Sequence, residues 1–161
     1  MHVGLNLVFL VPGETGGMEI AAREVITELG RSAPADLRLT AFVGRAGAEE
    51  VARWGVDVEV VPVDATNRLE WVRGEQVLLP PLAARAGCEV VHSLASTAPL
   101  RGAFRRVTTI HDLNYVKVPD AHFGLRGLVM RVLVPAAARR SHRVIVDAAS
   151  TVEDLVSELG T

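Results

Sequence analysis

This sequence predicts an α/β fold, a parallel sheet with helices on both faces. Short apolar runs alternate with stretches whose apolar residues recur at helical spacing. The connections between them are short, without repeats or low-complexity linkers. Aliphatic residues dominate and aromatics make up only 4%, as expected of a doubly wound sheet packed with Val, Leu and Ala.

The first run, Val3, Leu5, Leu7, Val8, Phe9, Leu10 and Val11, is too short for a membrane span and suits a strand buried on both faces. After the loop Pro12-Gly13-Glu14-Thr15-Gly16-Gly17, residues Met18, Ala21, Ala22, Val25, Ile26 and Leu29 form one helical apolar face. Leu37 to Val43 reads as a second strand, Ala46 to Trp54 as a short helix, and Val56 to Val63 as a third strand. A longer helical stretch runs from about Leu69 to Ala86, where Pro80-Pro81 either kinks the helix or restarts it. Glu89 to His92 and Arg106 to Ile110 are short strands, Gly124 to Arg140 is mostly helical, and Arg143 to Val146 is a sixth strand. The last helix is expected to open at Ser150 with a capping box closed by Glu153, and to stop at Gly160.

At 161 residues the chain is about one domain, able to bury roughly 70% of its unfolded surface. With 17 basic and 19 acidic residues, it is not built to hold nucleic acid by bulk charge. Its single cysteine, Cys88, excludes an internal disulfide framework and a thiolate metal cluster. Met-His-Val-Gly is not a basic leader, no small-residue cleavage site follows the apolar run, and Arg131 and Pro135 interrupt the best candidate membrane helix. A cytoplasmic domain is the economical expectation. The helix bearing Arg126, Arg131, Arg139 and Arg140 reads as a core-facing helix with a solvated basic side, and leaves peripheral contact with the inner face of a membrane open.

In parallel α/β sheets ligands sit beyond the carboxyl ends of the strands. That rule puts Gly13 to Gly17, Gly44 to Gly47, His92 to Thr97, His111 to Tyr115 and Asp147 to Ser150 on one rim. A glycine loop between strand and helix can aim unpaired N–H groups at an anion, although the same residues also suit a plain connection. His111 could donate to a hydroxyl or phosphate, and Asp112 could accept from a sugar hydroxyl or orient the imidazole. As a bland alternative, Asp112 caps a turn and His111 is a satisfied interior residue.

Several chemistries are excluded. The histidines are scattered without metal-ligand spacing, no Gly-x-Ser-x-Gly elbow exists, and nothing like a Walker loop follows the first strand. Gly13, Gly16 and Gly17 miss the dinucleotide spacing, and Val43 leads into Gly44-Arg45 where that fingerprint needs an acid. Trp54, Trp71 and Cys88 read as packing residues.

Together these segments resemble the N-terminal domain of a retaining glycosyltransferase of the family 4 (group 1) GT-B type, whose fold pairs two Rossmann-like domains. The resemblance rests on Gly16-Gly17-Met18-Glu19, on Glu75-Gln76 with Leu79-Pro80 before Val91-His92-Ser93, and on Thr109-Ile110-His111-Asp112-Leu113 followed by Pro119. Ala136 to Val146 leading to Ser150 continues it. The chain departs from the family at Ile20, where arginine is common, and at Val146-Asp147-Ala148-Ala149-Ser150, where Val-Ser-Glu-x-Ser is usual.

The resemblance implies transfer of a sugar, of the hexosyltransferase type, from a UDP-, GDP- or dTDP-sugar to an acceptor hydroxyl with retention, without cofactor or metal. It implies that Gly13, Thr15, Gly16 and Gly17 approach the donor diphosphate. Glu19, His92, Ser93, Asp112, Asn114, Tyr115 and Ser150 become candidates for binding a small-molecule or glycan acceptor. His111 takes a positioning or electrostatic role instead of that of a general base. It further implies a C-terminal nucleotide-sugar domain beyond residue 161, so the chain alone is expected to fold yet transfer no sugar. An excised half of this kind would expose an interdomain face through which it could dimerise. Two other readings stay open: a stand-alone nucleotide or sugar-phosphate binding module, and half of a non-hydrolysing sugar epimerase.

Overall fold

The computed structural model describes residues 1–113 and 125–159. Six parallel strands form one open sheet in the order β3-β2-β1-β4-β5-β6. They are β1 (His2–Leu7), β2 (Arg38–Gly44), β3 (Asp57–Val61), β4 (Val90–Ser93), β5 (Arg105–Thr109) and β6 (Arg143–Ile145). The chain winds outward from β1 to β3, returns across the sheet, and winds outward again from β4. The fold is Rossmann-like, with its topological switch between β1 and β4.

Helix α1 (Gly17–Ser32) and helix α2 (Ala48–Ala52) cover one face. Leu5, Leu7, Ala41 and Val43 pack there with Ala22, Ile26 and Val51. The other face is covered by α3 (Arg68–Arg73), a π-helical turn (Gly74–Leu78) and α4 (Leu79–Ala86), which together form one helical stretch. Here Val8, Phe42, Val61, Val63 and Val91 meet Trp71, Leu79 and Ala83. Alternate β2 residues serve opposite faces, as the pleat requires. Helix α5 (Leu125–Arg140) and helix α6 (Ala149–Asp154), the latter followed by a π-helical turn (Leu155–Leu159), close the far end. There Ile110, Leu113, Val134, Ala138 and Leu155 form a smaller cluster. No described helix is long and apolar enough to cross a membrane.

Two boundaries differ from the sequence reading. β1 ends at Leu7, because the Asn6 carboxamide takes the Val8 N–H and Leu10 N–H turns back to the Leu7 carbonyl. Val8 and Leu10 stay fully buried outside the strand. Of the two outcomes expected for the prolines, the restart is the one seen: Pro80 and Pro81 fall in the first turn of α4, directly after the π-helical turn. The capping box at Ser150 does not form. Ala148 occupies the cap position without a side-chain cap bond, and Ser150 is exposed inside α6. Gly160 lies outside the described residues.

Candidate functional site

The loop after β1 is closed by its own side chains. Thr15 hydroxyl donates to the Val11 carbonyl at 2.7 Å and receives the Val11 N–H at 2.9 Å. Glu19, itself buried, reaches back from α1 to accept the Gly13 N–H at 2.9 Å. Gly16, with φ of 63°, turns the chain into α1 in a conformation a side chain would strain. Gly17 and Met18 then open the helix, and no preceding turn offers carbonyls to their N–H groups. A Cβ built on Gly13, Gly16 or Gly17 would meet nothing within 4 Å, so the loop faces open space.

Beside this loop lies a cleft of about 480 Å³ at the carboxyl ends of β1, β3, β4 and β5. Thr15 and Met18 line it from the loop and α1, and His111 and Asp112 from the end of β5. Ser96 lines it from the turn after β4, and Arg68 and Trp71 from α3. The Arg68 guanidinium stacks over the Trp71 ring, 5.0 Å from its centroid. Asn67 fixes the start of α3, accepting from the N–H groups of Leu69 and Glu70.

His111 is held from three sides. Its Nε2 lies 2.9 Å from the Leu94 carbonyl, and its Nδ1 lies 2.9 Å from an oxygen of Asp147. Its own carbonyl accepts the Thr151 hydroxyl at 3.2 Å. A carbonyl and a carboxylate can only accept, so the ring nitrogen is the donor in each of these contacts, and the imidazole is oriented from both edges. The bond to His111 in turn holds the Asp147 carboxyl below the ordinary aspartate range.

Beneath the cleft lies a buried polar network. Glu75, 2% exposed, sits in the π-helical turn. Its carboxylate accepts from Asn6 Nδ2 and Thr97 Oγ1, each at 2.8 Å, and from Gln76 Nε2 at 3.0 Å. Gln76 also donates to the Ala98 carbonyl and accepts the Leu100 N–H, while Asn6 reaches Ser93. Burial pushes the Glu75 carboxyl up against the lowering effect of these donors.

The structure thus brings Thr15, His111 and Asp112 to one cleft, with Gly13 and Gly16 on the adjoining loop and Gly17 and Glu19 in the first turn of α1. His92 and Ser93 belong to β4 itself. The His92 ring pairs with the Thr109 hydroxyl at 2.8 Å and its pKa is lowered to about 4 by burial. Ser93 is fully buried. Ser150 is exposed on α6, and Asn114 and Tyr115 lie outside the described residues. Sequence reasoning placed Asp147 on the rim without pairing it with His111, and missed the anchoring by Thr151. The signal available was the acid in Val146-Asp147-Ala148, at the end of the next strand. Trp71 packs as expected but also walls the cleft, and its Nε1 is a buried donor without a partner among the described residues.

Those residues hold no cluster of three or more His, Cys, Asp or Glu able to bind a metal ion. No protein-family model matches the chain, and no curated protein is significantly similar to it.

Proposed function

We propose that this chain is the acceptor-side domain of a retaining glycosyltransferase, moving a sugar from a nucleotide-sugar to an acceptor hydroxyl. The observation that carries the reading is His111, fixed at the cleft with acceptors on both ring nitrogens. A ring so oriented suits a positioning role at the cleft, which is the role the sequence resemblance implies for it. Support also comes from the glycine loop lying beside the same cleft, with the first N–H groups of α1 free of helical partners. On this reading a separate nucleotide-sugar domain completes the enzyme.

The test is a transfer assay on the chain joined to whatever its native gene encodes after Thr161, with UDP-, GDP- and dTDP-sugars offered in turn. Transfer by the joined protein, with none by residues 1–161 alone, is the expected result. Transfer by the isolated chain overturns the half-enzyme reading. Saturable nucleotide-sugar binding by the isolated chain, with no transfer by either protein, replaces it with a binding module.

A further inference from the structure

We propose that Ser96 is a ligand-binding residue of the cleft, its hydroxyl engaging a hydroxyl group of a sugar-like polyol acceptor. The proposal rests on the preceding reading only for the acceptor side of the cleft. Ser96 is the single non-glycine residue with positive φ, 62°, among the described residues. The Thr97 N–H donates to the Ala95 carbonyl at 2.7 Å across it, making a γ-turn of the rarer, strained hand. A glycine would adopt this backbone without strain, so what the position gains from serine is the side chain.

Ser96 is 7% exposed and lines the cleft, and its hydroxyl makes no hydrogen bond to any described residue. The neighbouring hydroxyls are all engaged: Thr15 with Val11, Thr66 with Asp64, Thr97 with Glu75, Thr109 with His92. Ser96 is the exception.

The strain is held in place from both sides. The Ser96 N–H donates to the Thr109 carbonyl at 2.9 Å. Beyond the turn, Glu75 fixes Thr97, and Gln76 fixes Ala98 and Leu100. Strained residues persist where their surroundings over-determine them, and they cluster at ligand sites. A hydroxyl can both donate and accept, the pattern that matches another hydroxyl. Asp112, at the end of β5, lines the same cleft.

The experiment is an amide NMR titration of the isotope-labelled chain with methyl α-D-glucopyranoside, alongside thermal melts of Ser96→Ala and Ser96→Gly. Wild type is expected to show shifts concentrated at Ser96, His111 and Asp112, with binding weakened about tenfold or more in both variants. Ser96→Gly should also raise Tm by about 2–4 °C through relief of the strained backbone, whereas Ser96→Ala should not. Wild-type affinity in both variants, or no shifts at the cleft, overturns the proposal. Ser96-dependent binding of the probe with no transfer by the joined protein defeats the transferase reading and leaves this one standing.

Discussion

The imidazole of His111 and the carboxylate of Asp147 meet at 2.9 Å across the ends of β5 and β6. Asp147 is 58% exposed, so the pair adds little to stability, under about 1 kcal/mol. Its consequence is chemical. The carboxylate orients a ring whose other nitrogen meets the Leu94 carbonyl. Asp147→Asn keeps an acceptor but removes the charge, and should slow transfer by the joined protein about tenfold, or about 1.4 kcal/mol of barrier. Tm should change little. Because His111 holds the Asp147 carboxyl below 3.8, the pair is intact above that pH and is lost as pH falls through the lowered value. An unchanged rate in Asp147→Asn would remove Asp147 from the mechanism.

His92 gives the fold an acid sensitivity of its own. Burial lowers its pKa from 6.5 to about 4, so at pH between those values the unfolded chain takes up a proton that the folded chain refuses. Stability from this residue is complete above about 6.5, declines as pH falls, and levels off below about 4, with a total loss of about 3 kcal/mol. His92→Gln can still bond to Thr109 and does not titrate. Urea unfolding at pH 7 and pH 4.5 should show a smaller pH-dependent loss in the variant than in wild type.

The buried Glu75 works in the opposite direction. Its carboxyl is raised by burial, so stability falls as pH rises from its ordinary value of 4.5 through the raised one. Glu75→Gln should abolish that decline. It should also set one amide NH2 against that of Gln76, which already donates to Ala98, and loosen the turn that carries Ser96. Amide hydrogen exchange over residues 95–100 should therefore accelerate at neutral pH.

Gly74 packs closely against the segments that follow β1 and β3. A Cβ there would stand 2.9 Å from methyl groups of both Val8 and Val63. Gly74→Ala should destabilise the protein by about 1–3 kcal/mol despite alanine's better helix propensity. Chemical denaturation measures it, and a stabilised variant would show that the helix shifts freely.

The alternation of apolar runs and helical faces made the sheet and its helices legible, because each pattern depends on spacing within one segment. The glycine loop was legible for the same reason, as was the position of His111 at a strand end. Features depending on distant side chains were not. Nothing local tells that Asn6 ends β1 by taking the Val8 N–H, or that Glu75 will be shared by Asn6 and Thr97. The capping pattern at Ser150 and Glu153 was locally well formed, yet Thr151 is drawn inward to the His111 carbonyl and the helix begins a residue earlier. The placement of His92 and Ser93 depended on strand register: β4 runs through Ser93 and leaves the rim to the turn beyond it.

The strand order carries a consequence for how the chain is made. β1, which leaves the ribosome before the other five strands, lies inside the sheet with β2 on one side and β4 on the other. Its second edge has no partner until residues 90–93 have been synthesised. Every nascent chain shorter than that exposes an apolar strand edge able to pair with a neighbouring chain. Translation from β1 to β4 is therefore the interval in which this protein most depends on being shielded from others of its kind.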